Sequence, residues 1–330
     1  MNSDTHENSL NRRQFLARSA KAGISIAAAC AAGLWLHDSK GPAPAVAIPS
    51  ETGVLDFSAA NPKPAMAIVR GRDRRAALNS ALKALGGIET FVKKNDRVLL
   101  KVNAAFASPP ILSATTHPDV VSETTRLCFQ AGAASVVVTD NPINDPQSCF
   151  ALSGIMDAAR SAGATLYLPH PDAFKAFSLP DARLIRSWPV LLEPLKNITK
   201  VIGLAPVKDH HRSGASLAMK NWYGLLGGRR NIFHQDINTI ITELALMVRP
   251  TFVILDGTTS MLTNGPTGGS LSDLKHTNTL IVSTDQVAAD AFAATLLGKL
   301  PGDLAYIGKA EAAGAGRADY RALNPVEVSL

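Results

Sequence analysis

A chain of 330 residues has room for two average domains or one large α/β domain. Apolar residues make up 46% and charged residues 18%, which provides for a sizeable core and excludes wholesale disorder. The net charge of +6, with 5% aromatics and no basic stripe interleaved with them, excludes a nucleic-acid-binding surface.

The first 47 residues read as an address. SLNRRQFLARSAKAGISIAAACAAGLWL pairs Arg12 with Arg13, then continues Gln14, Phe15 and Leu16. A mildly apolar run follows over 22–36, too short and too rich in Ala and Gly for a membrane span. APAVA then offers small residues at Ala45 and Ala47 for cleavage. The order of these regions resembles a twin-arginine signal peptide, with Asn11 before the pair. The resemblance implies export of a folded protein to the periplasm, with no stable transmembrane segment after cleavage. Residues 1–47 carry five Lys/Arg and three Asp/Glu, so the remainder holds 28 against 24, a net charge of +4. Cys30 lies in a run where Ala27 departs from a lipoprotein acylation motif.

Residues 48–64 are rich in Pro, Ala and Ser and read as a flexible tether. Beyond them, short apolar runs predict buried strands at 65–71, 97–103, 135–140, 164–169, 200–206, 252–257 and 279–285. Such runs are apolar throughout, as strands covered on both faces require. Helical patterns fall at 74–86, 117–131, 151–162, 236–248, 285–297 and 303–314. This alternation predicts a single α/β domain over 65–330, a mostly parallel, doubly wound sheet flanked by helices. Residues 170–199 break the rhythm and predict a small insertion or cap.

Ligands of open parallel sheets bind beyond the carboxyl ends of the strands. Those ends supply Lys101 and Asn103, Asp140 and Asn141, Lys208 with His210 and His211, Asp256, and Asp285. In ATTHPDVV, Thr116 and Asp119 fit a capping box around Pro118, which leaves His117 free to face a site. The stretch KDHHRSGASLAMKNWYGLLGGRRNIFH is the densest. Adjacent side chains of an extended strand point to opposite faces, so only one of His210 and His211 is expected at a site, with His210 the chemical member. His210 and His234 with a carboxylate such as Asp256 or Asp140 would make a His₂/carboxylate metal set, but no established metal spacing supports it. The anion reading draws on more residues. Lys208, Lys220 and Arg229 or Arg230 are cationic donors, and Gly224, Gly227 and Gly228 allow close backbone approach. Neither a P-loop nor a serine nucleophile motif is present. TNGPTGG at 263–269 reads as a turn cluster. Asp290, on an Ala-rich helix face, is expected to need a cationic partner.

VLLKVN, ATTHPDVVSETTRL, AGAASVVVTDNP, K-x-H at Lys208–His210, K-N-x-x-G from Lys220, N-G-P-x-G from Asn264 and D-x-x-A-x-D from Asp285 resemble, in combination, the domain of unknown function 362 family. The resemblance covers about residues 95–315 and implies an α/β domain. It marks Lys101, Asn103, His117, Lys208, His210, Lys220, Asn221, His234, Asp256, Asn264, Gly265, Asp285 and Asp290. Many relatives also carry a ferredoxin-type cysteine cluster. Outside the leader this chain has two cysteines, Cys128 and Cys149, so an iron–sulfur cluster is not expected from this chain alone. Cys128 on a helix face and Cys149 in a loop read as unpaired.

Two functions follow as expectations. One is an exported, cofactor-dependent or redox-linked protein, in which Lys101, Asn103, Lys220, Asn221, Asn264 and Gly265 hold a metal ion or anionic cofactor, and His210, His117 and Lys208 act on it. The other is a non-catalytic periplasmic binding module for a small anionic ligand, or the partner of a membrane electron-transfer complex.

Overall fold

A computed structural model describes residues 11–35, 51–59 and 63–330. It divides into two compact units, Met1–Ala47 and Ile48–Leu330. In the first, helix α1 (Arg12–Trp35) follows Asn11, whose side chain accepts the Arg13 N–H at 3.1 Å. No helix among the described residues is long and apolar enough to cross a membrane. The expected cleavage residues Ala45 and Ala47 lie outside the described residues.

The second unit is mixed α/β. Its strands are β1 (Glu51–Thr52), β2 (Leu55–Asp56), β3 (Met66–Arg70), β4 (Arg97–Lys101), β5 (Ser135–Thr139), β6 (Thr165–Tyr167), β7 (Phe174–Ser178), β8 (Trp188–Leu191), β9 (Lys200–Lys208), β10 (Val248–Arg249), β11 (Phe252–Met261), β12 (Leu274–Lys275), β13 (Thr279–Ser283) and β14 (Val326–Ser329). Its helices are α2 (Arg74–Ala84), α3 (Pro118–Gln130), α4 (Pro146–Leu152), α5 (Ile155–Ser161), α6 (Ala218–Asn221), α7 (Ile237–Met247), α8 (Gln286–Leu296) and α9 (Ala305–Ala312). A nine-stranded sheet runs β14-β3-β13-β11-β9-β4-β5-β6, with β12 paired to β11.

Alternate residues of the central strands feed two separate cores. On β9, Val201, Ala205 and Val207 join one core, which also takes residues of α6, α7, α8 and α9. Ile202 and Leu204 join the other, with residues of α2, α3 and α5. Strands of this kind have no polar face, which is why the sequence shows continuous apolar runs where a half-exposed sheet would alternate.

The sheet is mostly parallel, as expected, with one departure that matters for the site. Strand β13 is antiparallel to both β11 and β3. Its carboxyl end therefore lies at the opposite edge from those of β4, β5, β9 and β11. Asp285 leaves the expected set for that reason. It caps α8 instead, accepting the N–H groups of Val287 and Ala288, both at 2.9 Å.

Other expectations also change. The segment read as a tether pairs with the fold on either side of Gly53, β1 parallel to β7 and β2 parallel to β10. The helix expected over 151–162 is two short helices, separated at Gly154, whose φ of 71° is the left-handed conformation. Cys149 belongs to the first of these rather than to a loop, and Cys128 and Cys149 are both buried and unpaired. The break in rhythm at 170–199 is the antiparallel β7–β8 hairpin.

One buried carboxylate fastens that hairpin. Glu243 of α7, 5% exposed, accepts the backbone N–H groups of Arg183 (2.7 Å), Leu184 (3.0 Å) and Ile185 (2.8 Å) in the β7–β8 connection. Charge-assisted bonds of this kind are the strong ones, and removing their acceptor leaves the amides unsatisfied. Glu243→Ala is therefore expected to destabilise the protein by about 2–4 kcal/mol, read from urea unfolding, through the loss of bonds worth about 1.5–3 kcal/mol each when charged.

Candidate functional site

Strands β5 and β6 extend the sheet from one side of β4, and β9 pairs with its other side. The strand order thus reverses between β4 and β9. Crevices at such switch points, outside the carboxyl ends, are where open α/β sheets hold ligands. An open cleft of about 1520 Å³ lies there. Asn103 follows β4, Asp140 and Asn141 follow β5, and Lys208 ends β9. Lys220 and Asn221 end α6, and Asn264 and Gly265 follow β11.

Beneath the cleft, Lys101 and Asp140 form an ion pair at 2.7 Å, with side chains 0% and 3% exposed. Lys101 also donates to the carbonyls of Val102 (2.7 Å) and Asn221 (2.8 Å). Asp140 accepts the N–H groups of Ala104 (2.6 Å) and Asn141 (2.9 Å). Lys101 was expected to bind a ligand, but it does not line the cleft and supports it from below. Burial lowers its pKa, and the Asp140 carboxylate opposes that effect. Gly224 covers the pair. A Cβ on Gly224 would overlap Asp140 Oδ1 and stand 2.7 Å from Lys101 Nζ.

Above this pair, Asn103 and Asn221 act as struts. Asn221 Nδ2 donates to the carbonyls of Lys101 (3.1 Å) and Leu204 (3.2 Å), and its Oδ1 accepts from Asn103 at 3.2 Å. Asn103 Oδ1 in turn accepts from Lys208 Nζ at 3.3 Å, and Lys208 also donates to the Ala114 carbonyl. Asn264 gives its amide to Asp273 at 2.6 Å, which fixes the 263–269 turn. The Asn264–Gly265 step sits tightly on the chain after β9, where a Cβ on Gly265 would overlap the Asp209 backbone.

Two lysines reach the cleft with no anion to meet them. Lys208 is 1% exposed and Lys220 8%. Among the described residues lining the cleft, Asp140 is the single carboxylate, and it is engaged with Lys101. No acceptor bonds Lys220 Nζ among the described residues; it lies 4.9 Å from the Tyr223 ring centroid. Burial lowers the pKa of Lys208 to about 7, aided by the charge of Lys220. Burial and the Arg230 charge lower that of Lys220 to about 7 as well. Arg230 spends its guanidinium on the carbonyls of Tyr223, Leu226, Asn141 and Pro142.

Three imidazoles line the same cleft in a parallel stack. His210 lies 5.0 Å from His211 and 5.7 Å from His234 between ring centroids. Both adjacent histidines reach the cleft, contrary to the strand-based expectation, because the chain leaves β9 at Lys208 and turns over 211–213. Their protonation is set by backbone partners. His210 Nδ1 accepts the N–H groups of Arg212 (3.1 Å) and Ser213 (3.3 Å), so its neutral ring carries hydrogen on Nε2. Burial, then the Lys220 charge, push its pKa down to about 2. His211 Nδ1 faces the Gly265 carbonyl at 3.3 Å and His234 Nδ1 the Asn231 carbonyl at 3.2 Å. A carbonyl only accepts, and the Tyr223 hydroxyl, 3.2 Å from His234 Nδ1, gives its own hydrogen to the Arg230 carbonyl, so hydrogen on Nδ1 satisfies these contacts and leaves the lone pair of the neutral rings on Nε2. His210 is thus a hydrogen-bond donor, and the proton-accepting nitrogens belong to its neighbours.

A family profile matches residues 98–295, a span that runs from β4 into α8 and contains every residue lining the cleft. The chain belongs to the family described as domain of unknown function, DUF362. A curated relative, the thylakoid-associated protein sll1697 of Synechocystis sp., is 25% identical over 230 residues, covering 65% of this chain and 67% of its own. Among solved structures, a structural-genomics protein of Thermotoga maritima aligns at 12% identity and a TM-score of 0.34, covering 56% of this chain. The lactate racemase apoprotein of Thermoanaerobacterium thermosaccharolyticum aligns at 12% identity and 0.36, covering 67%. The chain spans about half the length of each, 51% and 54%.

Several residues expected at the site of this DUF362 chain lie elsewhere. Asp256 is bound by Arg74 at 2.7 Å and by the Thr258 N–H at 2.9 Å, and it does not line the cleft. The metal set of His210, His234 and Asp256 is therefore not assembled. Among the described residues, no group of three or more His, Cys, Asp and Glu is placed to hold a metal. His117 is also absent from the cleft lining. It caps α3, its Nδ1 accepting the Asp119 N–H at 3.2 Å, in place of the expected Thr116 box. Thr116 instead accepts the Asn103 N–H at 2.8 Å and donates to Leu204. The partner of Asp290 is not a cation but the amides of Ala218 (2.8 Å) and Met219 (3.2 Å), at the start of α6.

Sequence reasoning passed over Tyr223, Glu243 and Phe106. The tyrosine of N-W-Y-G, two residues after Asn221, was the available signal for the first. Because the Lys101–Asp140 pair has no room above it, Gly224→Ala is expected to lower the melting temperature by at least about 2–4 °C per kcal/mol of overlap in a chain of this size. The midpoint of thermal unfolding, compared with that of an exposed control such as Gly302→Ala, checks it.

Proposed function

We propose that this exported DUF362 protein binds a small-molecule anion at the β4–β9 crossing, held by Lys208, Lys220 and the Nε2–H of His210. The observation that carries this reading is the pair of buried lysines without a facing carboxylate. An uncompensated buried charge is destabilising, and a preformed site that tolerates one favours the ligand that neutralises it. In their neutral forms, with hydrogen on Nδ1, His234 and His211 flank the donor with Nε2 lone pairs. An anion seated on the lysines would therefore have proton acceptors beside it, which favours acid–base chemistry on the ligand. Metal ligation by His210 is disfavoured, since its Nε2 carries the hydrogen.

The sign of the pH dependence follows from the lysines. Their folded pKa is lowered from 10.5 to about 7. Between those values the unfolded chain binds protons that the folded chain has released, so the free protein gains stability as pH rises through this window. Anion binding runs the other way, because the lysine charges are lost above pH 7. Sulfate, whose charge is constant in this range, is expected to raise the melting temperature more at pH 6 than at pH 9. Lys220→Met should abolish that shift and raise the melting temperature of the free protein by about 1–4 °C. A sulfate shift that is equal at both pH values, or that survives in the variant, overturns the reading.

We also infer export by the twin-arginine route, from Arg12–Arg13 at the start of α1, ahead of the mildly apolar run that begins at Ala22. Arg12→Lys with Arg13→Lys is expected to hold the protein in the cytoplasm, as read by cell fractionation. The thylakoid association named for the Synechocystis relative supports a second reading, a non-catalytic partner of a membrane electron-transfer complex.

A further inference from the structure

The anion-binding reading accounts for one end of the cleft only. A volume of about 1520 Å³ exceeds the roughly 300–1,000 Å³ that encloses a drug-sized ligand, and far exceeds an inorganic anion. Much of the remaining lining is apolar. Phe106 lies with its ring centroid 5.3 Å from Lys208 Nζ, so apolar surface begins directly beside the cationic end. From there the wall is built by Pro142, Ile143, Pro171, Phe174 and Pro189.

The polar groups along this wall are already engaged. Asn141 gives its side-chain amide to Leu226 at 2.8 Å, and Arg230 holds the carbonyls of Asn141 and Pro142. His170, the polar residue among the prolines, pairs with Tyr167 at 3.1 Å. Proline has no backbone N–H, and its fixed φ leaves little freedom to be lost on binding. Ile143 remains 65% exposed, an apolar side chain left largely uncovered by the described residues. The wall is thus stiff and poor in free donors, and it is continuous with the lysines.

We propose, resting on the anion-binding reading, that the ligand is an amphiphilic organic anion, with its charged head at Lys208, Lys220 and His210 and its apolar body along the Phe106–Ile143–Phe174 wall. The β7–β8 hairpin, which brings Phe174 and Pro189, then serves as the wall that measures the body. Neither an inorganic anion nor a compact one would use this surface.

The test is a homologous series of n-alkyl carboxylates from acetate to decanoate, titrated calorimetrically at pH 6.5, with 1-octanol as the uncharged control. Burial of each methylene contributes enough to tighten binding about two- to fourfold, so across six methylenes octanoate is expected to bind at least about sixtyfold more tightly than acetate. It should also bind at least tenfold more tightly than 1-octanol, and Lys220→Met should remove most of that advantage. If sulfate stabilises the protein but affinity is flat along the series, the amphiphile is wrong and the anion site stands. If 1-octanol binds as well as octanoate, or Lys220→Met leaves octanoate binding intact, the head group is not held at the lysines and the inference falls. If neither sulfate nor any carboxylate binds, both readings fall together.

Discussion

The Lys101–Asp140 ion pair is the contact on which the cleft depends. It is fully buried at 2.7 Å, and its two members leave adjacent parallel strands, β4 and β5. Such a pair pays a large desolvation cost and persists only where further hydrogen bonds complete it. Here those bonds reach Val102, Ala104, Asn141 and Asn221, so the pair ties the carboxyl ends of two strands to the end of α6. The pairing has a second effect. It commits Asp140, the carboxylate of the lining, to Lys101, so that neither Lys208 nor Lys220 has a carboxylate in contact and Lys208 feels Asp140 only at longer range. The support and the charge imbalance are two results of one arrangement.

The choice between a metal and an anion turns on a few backbone amides. Had His210 Nδ1 faced a carbonyl, its Nε2 would hold a lone pair and point the cluster towards metal ligation. The turn over 211–213 presents two N–H groups to that nitrogen instead. The ring must then donate from its other nitrogen. The lysines strengthen this outcome, because their charges oppose both a cation in the cleft and a proton on the ring. Charge and tautomer therefore point the same way, although the sequence presents the same three histidines under either reading.

Much of the architecture was legible in the sequence because buried parallel strands and amphipathic helices leave strong periodic marks. The runs at 97–103, 135–140, 200–206 and 252–257 became β4, β5, β9 and β11, and K-x-H with K-N-x-x-G marked two cleft-facing segments. Strand direction left no such mark. Nothing in TLIVS distinguishes an antiparallel strand from a parallel one, so Asp285 was placed at the wrong edge. The absence of a helical pattern between 262 and 278 was the clue, since a parallel neighbour needs a crossover. His117 and Asp256 were misplaced for a related reason. Asp256 lies within β11, which runs on to Met261, and Arg74 of α2 captures its carboxylate, while His117 turns back to cap its own helix. The histidine pair was misjudged because an alternation rule for strands was applied to a turn.

The antiparallel course of β13 separates the rim of the cleft from the frame of the sheet. Because the chain returns beside β11, the connection over 262–278 begins and ends at the same edge and never crosses a face of the sheet. It contributes Asn264 and Gly265 to the cleft and is held by its own Asp273. Lengthening such a segment costs only about 0.6 kcal/mol per doubling and disturbs no strand order. Lys101 and Lys208, by contrast, are embedded in β4 and β9, Asp140 directly follows β5, and Lys220 ends α6. A protein built in this way can resize the opening of its cleft by insertion or deletion in one loop, while the charged floor stays unchanged.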